Sequence, residues 1–440
     1  MKRLLNTRLV EWKKNPYRKT LLLRGARQVG KTYSVREFAK GFKYYLEINF
    51  ESDKSVHDFF KYDLNPDLIC QNLSVYYDIP IVDGETLLFF DEIQTCLPAI
   101  SSLRFFYEKR PTLHLVAAGS LLEFALSEIP SFGLGRINSI FMYPLSFNEF
   151  LWACDEEKLC LLKQNANPEN PLNPAFHSKI INYLKQFLLT GGLPEVVNTF
   201  IRTSDLRKAQ ISLDELITGL DDDFAKYKKL VPVSRLRDVF GSVVKQSGNK
   251  FNYSRVYTNA NHPQIKEAFN LLEMAGLVYK IEHTSANGIP LGAQVNHKKF
   301  KAILFDHGVF QRLLGLNLSN HLLANDFSAI NKGNLAEQFV GTEFIKSGPF
   351  RSKPNLYYWH KEKRGSSAEV DYIIQNNEVV VPVEVKSGTQ GKMQSLWSFL
   401  KEKDLQSGIR ISLENFSQYN KIKVFPLYSV ENILTPNPIP

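Results

Sequence analysis

The chain is 440 residues long, 44% hydrophobic and 22% charged, with a formal net charge of +9 at pH 7. That apolar share suits a globular chain of about two to four domains, and the modest positive charge permits nucleic-acid binding without demanding it. No apolar run approaches the ~18 residues of a membrane helix, so no membrane partner is expected. The basic start, Met1-Lys2-Arg3-Leu4-Leu5-Asn6, lacks the apolar stretch of a signal peptide, and Cys70, Cys96, Cys154 and Cys160 lack the paired spacing of a metal site. Both features predict a cytoplasmic chain whose cysteines are reduced and serve packing.

In chain order, the apolar run Thr20-Leu21-Leu22-Leu23 predicts a buried strand. It leads into Gly25-Ala26-Arg27-Gln28-Val29-Gly30-Lys31-Thr32, a complete Gly-x-x-x-x-Gly-Lys-Thr phosphate loop, and then into a helix predicted over Thr32 to Lys40. A glycine-rich turn that opens a helix aims several backbone N–H groups at one spot, where they hold phosphate. In such a loop Lys31 reaches the β- and γ-phosphates of ATP, and Thr32 holds Mg²⁺. Thr86-Leu87-Leu88-Phe89-Phe90 is a second buried strand and delivers Asp91 and Glu92 at its end. Asp91 is the expected Mg²⁺ ligand, and Glu92 the group that orients and deprotonates the attacking water. A third strand, Leu113 to Ala118, ends at Gly119-Ser120, where Ser120 can touch the γ-phosphate or the water. With strands at 20–24, 44–50, 86–91, 113–118 and 138–142, residues 1–150 read as a parallel α/β P-loop ATPase core.

Residues 151–225 read as a helical lid, within a helical stretch from Phe147 to about Phe224. The polar, proline-rich loop Gln164 to Pro171 interrupts it, and Thr190-Gly191-Gly192-Leu193-Pro194-Glu195 breaks two helices apart. Residues 226–330 carry three short helical patterns, Asp238 to Gln246, Ser254 to Thr258 and Pro263 to Ala275. Two strands follow, Leu277 to Ile281 and Phe300 to Phe305, and three helices with a β-hairpin make a winged helix-turn-helix. Lys245, Lys250, Arg255 and Lys266 lie in or near its helices, and Lys298, Lys299 and Lys301 flank its wing. Basic residues so placed can neutralise DNA phosphates, although many winged helices contact protein instead.

Residues 331–440 open with a helix, Asn334 to Lys346, followed by strands near 355–359, 369–374 and 379–386, a further helix and a last strand over Lys423 to Tyr428. Gln375-Asn376-Asn377-Glu378 is the turn of a hairpin, and the tail Thr435 to Pro440 is rich in proline. Side chains alternate along a strand, so Glu384 and Lys386 face the same way and Asp371 can approach from the neighbouring strand. Asp and Glu supply hard oxygen ligands suited to Mg²⁺ or Mn²⁺, and a nearby Lys can stabilise charge on a phosphodiester. This Asp…Glu-x-Lys arrangement resembles the restriction-endonuclease-like PD-(D/E)XK fold, in which Glu337 matches the acidic residue of the preceding helix. Val370 stands where that motif has proline.

The order of motifs also resembles a prokaryotic AAA-type ATPase family. The residues that carry the likeness are Arg24 to Thr32, Phe90-Asp91-Glu92-Ile93-Gln94, Gly119-Ser120, Gly135-Arg136, Tyr143 to Phe150 and Gly191 to Glu195. Members of that family carry a C-terminal domain of unknown function that joins a winged helix to a restriction-endonuclease-like module. Arg136 is the candidate arginine finger, which acts across a subunit boundary and so implies a homo-oligomer. Two readings of function follow. The chain is an ATPase coupled to DNA binding or processing, or it is a nucleotide switch whose C-terminal modules bind protein and cut nothing.

Overall fold

The computed structural model describes residues 1–120, 122–129, 135–227, 230–315, 334–361, 368–376, 378–388 and 391–434. Asn377 of the expected hairpin turn and the proline-rich tail from Thr435 lie outside them. The chain divides into two compact units. The first is Met1–Tyr143 with Met274–Gly276 and Pro349–Lys353, and the second holds the remainder.

The first unit is built on a five-stranded sheet of β1 (Thr20–Arg24), β2 (Tyr44–Asn49), β3 (Thr86–Asp91), β4 (His114–Ala118) and β5 (Ile137–Phe141), in the order β2-β3-β4-β1-β5. Every pairing is parallel. Parallel strands are covered by helices on both faces, so their sequences read as unbroken apolar runs rather than alternating ones. Accordingly, all residues of β3 and β4 are buried. Phe50, Phe60, Phe90 and Phe106 interlock edge to face inside this core, with ring centroids 5.4 to 5.9 Å apart. Strand β4 lies between β1 and β3, and that placement controls the site described below.

The second unit begins with helices Phe147–Ala153, Glu157–Asn165, Pro174–Thr190, Pro194–Thr203 and Leu206–Asp223. Ser146 and Glu149 close a capping box on the first of them. The Gly191-Gly192 break has a packing cause. A Cβ on Gly191 would stand 2.3 Å from Asp306 Oδ1, and one on Gly192 would stand 2.4 Å from the Leu145 carbonyl oxygen. Asp306 itself is fully buried. It accepts hydrogen bonds from the N–H groups of Gly192 (2.7 Å), Gly308 (2.9 Å) and Val309 (3.0 Å), so one carboxylate caps helix His307–Leu313 and holds the glycine loop.

Next come helix Val233–Gln246, a single 3₁₀ turn Tyr253–Arg255 and helix His262–Met274. The middle helix expected over Ser254 to Thr258 is only this turn. The Asn252 side chain accepts from the Ser254 N–H, and Val256 already has extended backbone. A hairpin of β6 (Val278–Thr284) and β7 (Val295–Leu304) follows. It does not end there as an isolated wing: β6 pairs in parallel with β8 (Leu356–His360). The hairpin therefore forms one edge of an eight-stranded sheet with β9 (Glu369–Asn376), β10 (Val379–Val385), β11 (Gly408–Ser412), β12 (Ser417–Tyr419) and β13 (Ile422–Pro426), in the order β12-β13-β11-β10-β9-β8-β6-β7. Strands β11 and β12 are additions to the expected elements. The final strand stops at Pro426, after which Leu427–Ser429 turns as a 3₁₀ helix.

Asp306→Ala is expected to lower the unfolding free energy by about 3 kcal/mol, because three buried N–H groups lose their acceptor together. Urea titration followed by circular dichroism measures this, and Asp306→Asn, which keeps one acceptor oxygen, should lose less.

Candidate functional site

The phosphate loop joins the C-terminal end of β1 to helix Lys31–Ala39. Two of its glycines are required by geometry. Gly25 has φ of 139°, and a Cβ there would stand 2.1 Å from the Met142 carbonyl oxygen. Gly30 precedes the helix with φ of 92°, and Gln28 also has positive φ, at 64°. These turns bend the chain into a cup of N–H groups at a helix N-terminus, a shape that suits phosphate. Lys31 is buried, and its ammonium donates to the carbonyl oxygens of Gly25 (2.9 Å) and Ala26 (2.7 Å). Burial pulls its pKa down to about 8.

The acidic residues stand beside the loop. The Thr32 hydroxyl donates to Asp91 Oδ2 at 2.9 Å, so the expected Mg²⁺ ligands of the helix and of β3 are already side by side. Their hydroxyl and carboxylate oxygens are hard donors that fit Mg²⁺. Burial raises the Asp91 pKa. Glu92 occupies the left-handed region at φ of 50°, an uncommon conformation for a non-glycine residue. Its Oε2 accepts from the Ser120 hydroxyl (3.2 Å) and from Gln94 Nε2 (2.5 Å), while Arg27 Nε donates to the same hydroxyl (3.0 Å). The order of strands explains this chain. Because β4 lies between β1 and β3, its terminal Ser120 sits between a loop residue and the acid.

A second cluster lies on the eight-stranded sheet. Gly341 lets helix Asn334–Ser347 approach the sheet: a Cβ there would stand 2.5 Å from the Tyr372 hydroxyl and 2.7 Å from Ile303 Cδ1. One turn earlier on that helix, Glu337 reaches the sheet, and the Tyr372 hydroxyl donates to its carbonyl oxygen at 2.7 Å. Asp371 Oδ2 accepts from the Val385 N–H at 2.8 Å, and Lys386 Nζ lies 2.6 Å from Glu384 Oε1. In their midst is Lys301 of β7. Its ammonium lies 2.6 Å from Glu369 Oε1, 3.4 Å from Glu337 Oε2 and 3.9 Å from Asp371 Oδ1. Burial alone would lower the Lys301 pKa, but the carboxylates of Glu337, Asp371 and Glu369 outweigh it and hold the pKa well above the ordinary value. Burial, and then the neighbouring Asp371 carboxylate, push Glu337 up to about 8 and Glu384 up to about 7.

Residues 17–151 match the AAA domain family. The first unit carries an AAA-type P-loop ATPase domain. Residues 181–320 match a domain of unknown function (DUF8612), and residues 332–430 match another (DUF4143). No curated protein matches the chain. Among solved structures, a Walker-type ATPase of Pyrococcus abyssi is similar at 15% identity and a TM-score of 0.45, over 71% of this chain and 95% of that one. The Orc1 protein of Aeropyrum pernix, solved in complex with DNA, gives 12% identity and a TM-score of 0.30 over 72% and 93%. A signal transduction ATPase with numerous domains from Pyrococcus horikoshii gives 11% and 0.27 over 77% and 48%.

The ATPase domain links Thr32, Asp91, Glu92, Ser120 and Arg27 by hydrogen bonds beside the loop Gly25 to Thr32, whose Lys31 bonds to Gly25 and Ala26. Arg136 is outside that group; it pairs with Glu108 on helix Leu97–Lys109. Gln94 is a participant that the sequence reading left without a role, although it stands in the same acidic string. A Cβ on Gly119 would fall 2.0 Å from Gln94 Oε1, so the glycine before Ser120 makes room for this amide. Lys301 requires a correction. It was expected to flank the wing as a phosphate contact, yet its side chain is only 1% exposed and points among carboxylates. Lys245, Lys250, Arg255, Lys266 and Lys298 are exposed. Among the described residues, no helix is long and apolar enough to cross a membrane.

The raised Glu337 pKa gives a signed prediction. Between the ordinary carboxyl value of 4.5 and about 8, the folded chain holds a proton that the unfolded chain has released, so this site loses stability as pH rises through that window. Glu337→Gln keeps the neutral form. Its stability relative to wild type should therefore increase from pH 5 to pH 8, by at most about 1.4 kcal/mol per pH unit. Chemical unfolding of both proteins across that range measures the difference, and a constant difference would contradict the assignment.

Proposed function

We propose that the first unit binds and hydrolyses ATP with Mg²⁺, and that turnover drives DNA binding by the modules that follow. The observation that carries this reading is the continuous set of contacts from Thr32 to Asp91 and from Arg27 through Ser120 to Glu92 around an intact phosphate loop. The backbone of Gly25 to Lys31 receives the phosphates, and Lys31 exchanges the loop carbonyls for phosphate oxygens. Thr32 and Asp91 hold Mg²⁺, which when bound neutralises charge on the phosphates. Glu92 orients the attacking water and takes its proton, while Ser120 fixes the carboxylate and senses the γ-phosphate. Arg136 serves as the finger for a neighbouring copy, so full activity requires a homo-oligomer. The exposed Lys245, Lys250, Arg255, Lys266 and Lys298, on and around the helices and hairpin of a winged-helix-like segment, supply the DNA contact.

A second reading has one observation in its favour. The withdrawal of Lys301 from the surface removes a basic residue from the wing, as suits a nucleotide switch whose C-terminal modules bind protein. ATPase assays with and without duplex DNA separate the two. Stimulation by DNA that weakens with added salt supports the first reading, and turnover indifferent to any DNA supports the second.

Lys31→Ala should weaken nucleotide binding about 100-fold, since a charge-assisted contact to phosphate is lost. Glu92→Gln should bind ATP normally and hydrolyse it about 100- to 1000-fold more slowly; normal turnover would remove Glu92 as the base. Lys31 also sets a pH dependence. In the free protein its ammonium loses its proton above about pH 8, and bound phosphate restores it. Nucleotide affinity should therefore fall with rising pH above that value, with proton uptake on binding, and Lys31→Ala should abolish the slope. Calorimetry in buffers of different ionisation heat measures both.

A further inference from the structure

Three carboxylates surround the Lys301 ammonium within 3.9 Å, and Glu384 with Lys386 continues the same cluster. We propose that this cluster is a cation site whose cation is the chain's own lysine: Lys301 takes the place that a divalent metal would hold, and the nuclease-like module binds its partners without cutting. The inference rests on the nuclease-like reading of the cluster and is independent of the nucleotide site.

Four observations carry it. First, Lys301 cannot move aside easily. It belongs to the buried run Phe300 to Leu304 of β7, and its neighbours in the chain are anchored on the opposite face, where Phe300 packs against Phe251 and Phe269. Second, the ammonium already lies 2.6 Å from Glu369 Oε1 and 3.4 Å from Glu337 Oε2, with Asp371 Oδ1 at 3.9 Å. A divalent ion placed there would have to expel Lys301 or share a dry site with a like charge, which is strongly unfavourable. Third, two further oxygens of the cluster are committed. Asp371 Oδ2 accepts from the Val385 N–H, and Glu384 Oε1 from Lys386. Among the described residues, no three acidic, histidine or cysteine side chains are arranged to hold a metal ion. Fourth, the lysine arrives from the hairpin and the acids from the helix and strands beyond it. The ammonium thus ties β7 to helix Asn334–Ser347 and β9, and the cluster acts as a clamp between these segments. Glu384 Oε2 is buried without a hydrogen-bond partner. That unpartnered oxygen is open to a metal if the lysine is removed.

The test is Mn²⁺ binding to the full chain without nucleotide, read by electron paramagnetic resonance and run beside nicking of supercoiled DNA. Wild type and Asp371→Asn should bind Mn²⁺ alike and nick nothing. The double variant Lys301→Met/Glu369→Gln removes the ammonium together with its nearest carboxylate, which preserves charge balance. It should gain one Mn²⁺ site at least about tenfold tighter than any in wild type, and adding Asp371→Asn should abolish it. A wild-type Mn²⁺ site or nicking activity that Asp371→Asn removes would overturn the proposal, as would a folded double variant that gains no site. If the double variant does not fold, the comparison of wild type with Asp371→Asn decides by itself. Failure of ATP hydrolysis leaves these readouts untouched.

Discussion

A parallel sheet covered on both faces leaves its polar chemistry one place to go, the ends of the strands. In the first unit β3 and β4 are buried along their whole length, and the phosphate loop, Asp91, Glu92 and Ser120 are gathered at the C-terminal ends of β1, β3 and β4. The rest of the site depends on this constraint. Gly25 turns the chain sharply against the Met142 carbonyl, Asp91 meets Thr32, and Ser120 bridges Arg27 and Glu92 because its strand separates theirs. Moving β4 to an edge of the sheet would leave every motif intact in the sequence and break the chain of contacts.

The second unit depends on a different rule: a buried charge must be answered by an opposite charge or by hydrogen bonds. Lys301 meets it with three carboxylates, and Asp306 meets it with three backbone N–H groups. Each residue ties together segments remote in the chain. Asp306 joins the glycine loop at Gly191-Gly192 to helix His307–Leu313, and Lys301 joins the hairpin to the helix and strands that follow. These polar groups act as fasteners in the interior, and a motif such as Gly-Gly-Leu-Pro is explained by what it packs against rather than by what it binds.

Legibility followed the same division. The phosphate-loop turn and the end of β3 were legible as structural elements because each is a short, contiguous string whose shape is set by local backbone geometry. Helix Asn334–Ser347 and strands β9 and β10 lie where elements were expected, over Asn334 to Lys346, 369–374 and 379–386. Strand β11 was not, because Arg410 interrupts its apolar residues; the side chain is nonetheless buried and pairs with Glu414 at 3.0 Å. Lys301 was misread for the same reason. A lysine at the start of an apolar strand looks like a surface cation. The available clue was its alternation with Ile303 in the run Phe300 to Phe305, which puts it on a face that has no solvent.

By itself the sequence determined the AAA-type P-loop character of the first unit, since eight consecutive residues spell the loop and a strand end carries two acids. It also named Glu337, Asp371, Glu384 and Lys386 of the C-terminal cluster, but not Glu369 or Lys301. Only the tertiary structure decided how those groups are used. Long-range strand order inserted Ser120 between Arg27 and Glu92, and joined the hairpin to the C-terminal sheet so that Lys301 entered the carboxylate cluster. Such pairings are set by burial across hundreds of residues, and no local pattern carries that information.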